Sequence, residues 1–115
     1  MTDKEDQNDR ELLELAAKAT GLEIRMKHYE VGGWHCQWHH VIDKGIDEWI
    51  DWNPLTDDGD ALRLAVKLRF TPHIDENLTD CEDCTVAHLD DPYAATRRAI
   101  TRAAAAIGKE MINKD

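Results

Sequence analysis

A change in hydrophobic period constrains this chain more than any other feature. Between residues 22 and 42 the side chains alternate. Leu22, Ile24, Met26 and His28 fall on one side, and Glu23, Arg25, Lys27 and Tyr29 on the other. After Gly32-Gly33 the alternation resumes with Trp34, Cys36, Trp38, His40 and Ile42 sharing a side. A period of two belongs to a pleated strand, whose successive side chains point to opposite faces. A Gly-Gly pair supplies the positive φ of a two-residue hairpin turn. The segment predicts an antiparallel hairpin with Trp34, Cys36 and Trp38 turned inward. A purely helical fold is excluded.

Helical period flanks this hairpin. Residues 9–20 carry an apolar stripe of Leu12, Leu13, Leu15, Ala16 and Ala19, with Asn8 or Asp9 as cap and Gly21 as stop. A third short strand is expected over Trp49–Trp52, ended by Asn53-Pro54. Thr56 or Asp57 then caps a helix running to about Lys67, with Leu62, Ala65, Val66 and Leu68 as its buried side. Two further strands are expected over residues 69–75 and 84–89, joined by an acidic loop. Asp90 or Asp91 caps the last helix, and Pro92 occupies its first position, where a missing N–H is harmless. Ile100, Ala103, Ala104, Ile107 and Met111 form its apolar face. The order α-β-β-(β)-α-β-β-α predicts an α+β fold, an antiparallel sheet of four to five strands with helices packed on it. Residues 9–115 are expected to form one domain, preceded by a frayed polar terminus over residues 1–8.

Charge narrows the function. The chain of 115 residues has a net charge of −10, and the excess is local. Residues 43–91 hold 14 acids and 4 bases, whereas residues 92–115 hold 2 acids and 5 bases. Such acidity disfavours direct binding to nucleic acid or to an anionic membrane and suits a partner with a basic surface. Met1–Asp6 contains no apolar run, so no secretory leader is expected, and no stretch approaches the roughly 18 apolar residues of a membrane span. Three cysteines in such a chain fit a reducing cytoplasm better than a disulfide scaffold.

Two stretches carry a resemblance: Trp52–Leu68 (WNPLTDDGDALRLAVKL) and Asp91–Ile100 (DPYAATRRAI). The pair resembles a group of small proteins from tailed bacteriophages and prophages of proteobacteria. The match covers about half the chain and carries no established activity. It implies phage or prophage origin and residence in the host cytoplasm. Small acidic inhibitors of host defence, anti-CRISPR proteins among them, are similar in size and charge. That analogy implies an inhibitor of a host complex such as CRISPR–Cas, or a phage protein with another role.

Candidate sites divide by chemistry. Asp43, Asp47, Glu48, Asp51, Asp57, Asp58, Asp75, Glu76, Asp80, Glu82 and Asp83, with Trp49 as anchor, form the candidate partner-binding set. Their carboxylates would stand where the phosphates of a nucleic acid sit. Trp34, Trp38, Trp49 and Trp52 belong first to the core, with one or two exposed beside these acids as the sharper alternative. Cys81-x-x-Cys84 has metal-ligand spacing, so a zinc-binding module is the alternative reading; otherwise no cofactor is expected. His35, Cys36, His39 and His40 contain a nucleophile and bases but lack an oxyanion hole or an orienting carboxylate at a known spacing. The chain is therefore not expected to be an enzyme. Asp57-Asp58-Gly59-Asp60 lacks the ligand order of a calcium loop and reads as helix capping. Arg97, Arg98 and Arg102 read as a solvated helix face, with ion pairs to the acidic segment as the alternative.

Overall fold

The computed structural model describes the backbone of residues 2–114 and the side chains of residues 8–114. The first helix, α1, covers Thr2–Thr20. Most of the expected frayed segment, residues 1–8, lies outside the described side chains. Then follow β1 (Ile24–Tyr29), β2 (Gly33–Asp43), β3 (Ile46–Asp51), α2 (Asp58–Leu68), β4 (His73–Ile74), β5 (Leu78–Cys81), β6 (Cys84–Ala87) and α3 (Pro92–Asn113).

The class is α+β, but its strands form two three-stranded antiparallel sheets, β1-β2-β3 and β4-β5-β6, instead of one sheet of four to five strands. The chain leaves the first sheet at Asn53-Pro54. Pro54 is buried, and the Asn53 N–H donates to the Asp60 carboxylate at 2.9 Å rather than to a strand. The chain then passes through α2 and builds a separate sheet of short strands on α3. Part of the expected acidic loop is itself a strand, β5. Glu82 and Asp83, with φ of 48° and 71°, make the two-residue turn to β6.

The first hairpin follows the alternation, with Met26 opposite Cys36 and Ile24 opposite Trp38. Its turn differs from the expectation. Tyr29 pairs with Gly33, so Glu30, Val31 and Gly32 form the loop and Gly33 opens β2. The third strand begins earlier than expected, at Ile46, across a Lys44-Gly45 turn. A bulge between Val41 and Asp43 shifts the register, and Ile42 faces solvent with Val41 and Ile46.

Helix ends obey local chemistry. Asp57 accepts from the Asp60 N–H at 2.8 Å, and Asp91 accepts from the Ala94 N–H at 3.0 Å. Arg69 closes α2 in the left-handed region. The buried side of α2 departs from the pattern. Asp60, Ala61, Leu64 and Ala65 are buried, whereas Leu62 and Val66 are 64% and 67% exposed. The helix is rotated by about one residue because the Asp60 carboxylate is pulled inward, held by Asn53 N–H and by Arg63 at 2.7 Å.

Helix α3 is the central element, with α1, α2 and the second sheet packed against it. Its contact with α1 is lined by small residues: Ala16, Ala17, Ala103 and Ala104 are buried. Gly108 sits so close that an added Cβ would run into the Leu15 carbonyl and lie 2.8 Å from its carbon. The face is shorter than expected: Ile100 is buried, Ile107 half-buried and Met111 exposed. Against the second sheet, the buried Thr79 hydroxyl lies 2.8 Å from His88 Nε2 and 2.8 Å from the Thr96 hydroxyl, which satisfies the polar atoms at this contact.

Candidate functional site

The acids of β3 are matched to the histidines of β2. Register places His40 opposite Glu48, and its Nδ1 lies 3.3 Å from Glu48 Oε1. The other two pairs are diagonal. His39 Nε2 is 2.6 Å from Asp47 Oδ2, and His35 Nδ1 is 3.2 Å from Asp51 Oδ2. The residues that suggested a nucleophilic centre are thus counter-groups of an acidic edge strand. His40 projects to the face opposite His35 and His39, so the three do not converge on one pocket. Cys36, between Trp34 and Trp38, is buried, and that burial together with nearby Glu14 pushes its thiol up to about 12.

His39 has a carboxylate on each ring nitrogen, Asp47 on Nε2 and Glu23 on Nδ1 at 3.0 Å. Both must receive an N–H, which only the imidazolium provides. Its pKa is raised above 6.5 by the bond to Asp47 and then by that to Glu23. The ring stacks on Trp49 with centroids 4.9 Å apart, and the Arg25 guanidinium lies 4.4 Å from the Trp49 centroid. Beside this stack, Gln37 donates to Asp51 at 2.9 Å and to the Tyr29 hydroxyl at 3.1 Å, and accepts from Arg25 at 2.9 Å. Gln37 is consequently buried although it lies on the outer face. The bonds from Gln37 and then His35 hold Asp51 below the ordinary carboxylate range.

The inner face of the same sheet forms one wall of a cleft of about 830 Å³. Trp34, Cys36, Trp38 and Ile50 line this wall, and Asp57, Asp60, Arg63, Leu64 and Lys67 of the α2 segment line the other. Trp52 and Leu64 are buried at its base, while Trp34 is 51% exposed at its mouth. The Arg10 guanidinium lies 4.9 Å from the Trp34 ring centroid.

The expected acidic surface divides among several elements. Asp47, Glu48, Trp49 and Asp51 are together on β3, with Asp43 at the end of β2. Asp51 and Asp57 both line the cleft. Asp58 binds Arg97 at 2.6 Å, joining α2 to α3, and Arg98 binds Asp9 at 3.0 Å. The basic helix face is therefore partly consumed in ion pairs. Asp75 accepts the Asn77 and Leu78 N–H groups, which lower its pKa and shape the turn into β5. Glu76, Asp80, Glu82 and Asp83 belong to the second sheet and its turns, and none lines the cleft. Cys81 and Cys84 are cross-strand partners flanking the β5–β6 turn. Burial, with nearby acids, pushes Cys81 up to about 11, and burial also raises Cys84. Among the described residues no third histidine, cysteine or acid joins them in a metal-sized group.

Sequence reading missed the cleft. Its available signal was the spacing of Asp60, Arg63, Leu64 and Lys67, which puts these four on one helical face. No protein-family model matches the chain, and no curated protein or solved structure shows significant similarity to it. Among the described residues, no helix is long and apolar enough to cross a membrane.

Proposed function

We propose that this chain is a small acidic binding protein that docks the β2–β3 hairpin on a basic surface of another protein. The observation that carries this reading is the composition of that hairpin. Asp47, Glu48 and Asp51 stand on an edge strand, and Val41, Ile42 and Ile46 are exposed beside Asp43 at its tip. Exposed apolar side chains flanked by carboxylates suit an interface in which charge steers the encounter and apolar burial holds the complex. An edge strand also offers unpaired N–H and C=O groups to a partner. The phage resemblance supplies the setting: an inhibitor of a host complex such as CRISPR–Cas, acting in the bacterial cytoplasm, with carboxylates in place of nucleic-acid phosphates.

The test is affinity capture from a bacterial host, with mass spectrometry, using the natural chain and the double variant Asp47→Lys/Glu48→Lys. A partner with a basic surface is expected to be captured by the natural chain and lost by the variant. Its capture is also expected to weaken as salt rises. Equal capture by both chains overturns the reading.

A further inference from the structure

The cleft between the first sheet and α2 sets two cations, Arg63 and Lys67, among three carboxylates, Asp51, Asp57 and Asp60, and against a wall of indoles. The chain is strongly acidic, yet the carboxylates of the cleft are already engaged. Asp60 accepts from Asn53 N–H and Arg63, Asp57 caps α2, and Asp51 accepts from Gln37 and His35. The cations are not used up in the same way. Arg63 is largely exposed and, beyond its 2.7 Å bond to Asp60 and a longer 3.9 Å approach to Asp57, retains N–H donors. Lys67, one turn further along the same face, meets no carboxylate within 4.0 Å among the described residues. Facing them across the cleft are the indoles of Trp34 and Trp38, with Cys36 and Trp52 buried behind.

We infer that this cleft binds a small planar aromatic acid, an aromatic or heteroaromatic ring bearing one anionic group. Its volume of about 830 Å³ lies in the range of small-molecule sites. Trp34 and Trp38 are four residues apart on one strand, so their rings project from points roughly 13 Å apart with only the small Cys36 side chain between them. Arg10 and His28 pack on Trp34 and His40 on Trp38, so a ligand ring meets the indole surface that these contacts leave. Indole faces favour flat rings in offset or edge contact. The anionic group meets Lys67 and the free N–H groups of Arg63, on the α2 side of the cleft. An aliphatic acid lacks the stacking contact, and a neutral aromatic lacks the charge contact. The site is separate from the β2–β3 hairpin tip, so its failure would leave the docking reading standing.

The experiment is a fluorescence titration of the full chain with 2-naphthoate, followed through its tryptophans. Amide-resolved NMR locates the binding. Saturation at one equivalent is expected, with shifts confined to the cleft's lining on β2, the end of β3 and α2. The neutral isostere 2-naphthamide and the aliphatic anion cyclohexanecarboxylate are each expected to bind about 10-fold more weakly, the loss of one charge contact or one stacking contact. Lys67→Ala, at an exposed position, is expected to weaken 2-naphthoate by about 5- to 10-fold and to leave 2-naphthamide unchanged. Trp34→Ala is expected to weaken both aromatic ligands. Absence of saturable 2-naphthoate binding overturns the inference. So does a Lys67→Ala chain that retains the natural affinity, or shifts spread over the second sheet.

Discussion

The two halves of this molecule are held together by different physics. Along α1 and α3, alanines and Gly108 bring two backbones into contact, and the second sheet closes on α3 through the buried Thr79–His88–Thr96 cluster. The first sheet is stitched instead by side-chain bridges on a solvated face: Arg25 to Gln37 to Asp51, His35 to Asp51, and Glu23 to His39 to Asp47. Close packing tolerates little change in volume, whereas solvated polar bridges tolerate substitution and respond to pH and salt. The docking residues and the cleft's indoles fall on the second kind of structure, while α2 supplies the cleft's cations. The packed half is a platform, and the bridged half is free to present exposed carboxylates, indoles and an open edge.

The contrast is tested most severely at Gly108. Gly108→Ala places a methyl group against the Leu15 backbone, which cannot rotate away as a side chain would. A loss of about 3 kcal/mol is expected, at the upper end of overpacking costs, read as a fall in the midpoint of chemical denaturation. A loss below about 0.5 kcal/mol, the range of a neutral surface change, would show that the two helices are not in contact as described.

Thr79→Val probes the same half through its polar contact. The substitution keeps the shape and removes the hydroxyl shared by His88 and Thr96. About 1–3 kcal/mol is expected, because a buried polar group is left without its partner. Thr85→Val on the neighbouring strand loses only an exposed bond to Asp80, and a change within about 0.5 kcal/mol is expected. If the two variants lose equal stability, the second sheet is no more tightly sealed to α3 than the first sheet is on its outer face.

What was legible in the sequence follows the range of the forces. The Asp57 and Asp91 caps and the strand alternation of residues 24–38 depend on neighbours in the chain, and the structure has them. Three features depend on side-chain partners that periodicity does not reveal. The rotation of α2 is set by Asn53 and Arg63 drawing Asp60 inward, against an apolar pattern that favoured Leu62 and Val66. Strand β5 is polar in composition, and Thr79 is buried only because His88 and Thr96 satisfy it. The acids of residues 43–51 and 75–83 look alike as letters, but separate sheets carry them. Of the tryptophans, Trp52 is the core residue expected, while Trp34 is half exposed under Arg10 and Trp49 lies beneath Arg25 on the outer face. Strand period places a side chain on a face, but not whether another layer covers that face.

The smallest expected effect is the one that belongs only to the bridged half. His39 touches Glu23, which precedes β1, and Asp47 on β3, and it stacks on Trp49, so its charged form ties the sheet across its width. The same pocket of charge includes Arg25, whose guanidinium also lies over the Trp49 ring. Because the folded pKa lies above 6.5, the native state holds the His39 proton more tightly than the unfolded chain does. The contribution of this group is complete below pH 6.5 and is lost as pH rises through the raised folded value. Asp51, held below its ordinary value of 3.8, acts in the opposite sense: its contribution is present above that value and fades as pH falls through the lowered one. Denaturation midpoints compared on the two sides of the histidine window, for the natural chain and for His39→Gln, isolate the first effect. The natural chain should lose more stability than the variant as pH rises, and the His39 ring proton should titrate above 6.5 by NMR. Identical pH dependence in the two chains would mean that the carboxylates of Glu23 and Asp47 hold the sheet no better with the proton between them than without it. The bridged half would then owe its order to backbone pairing, the Gln37 bridge and the burial of its inner face.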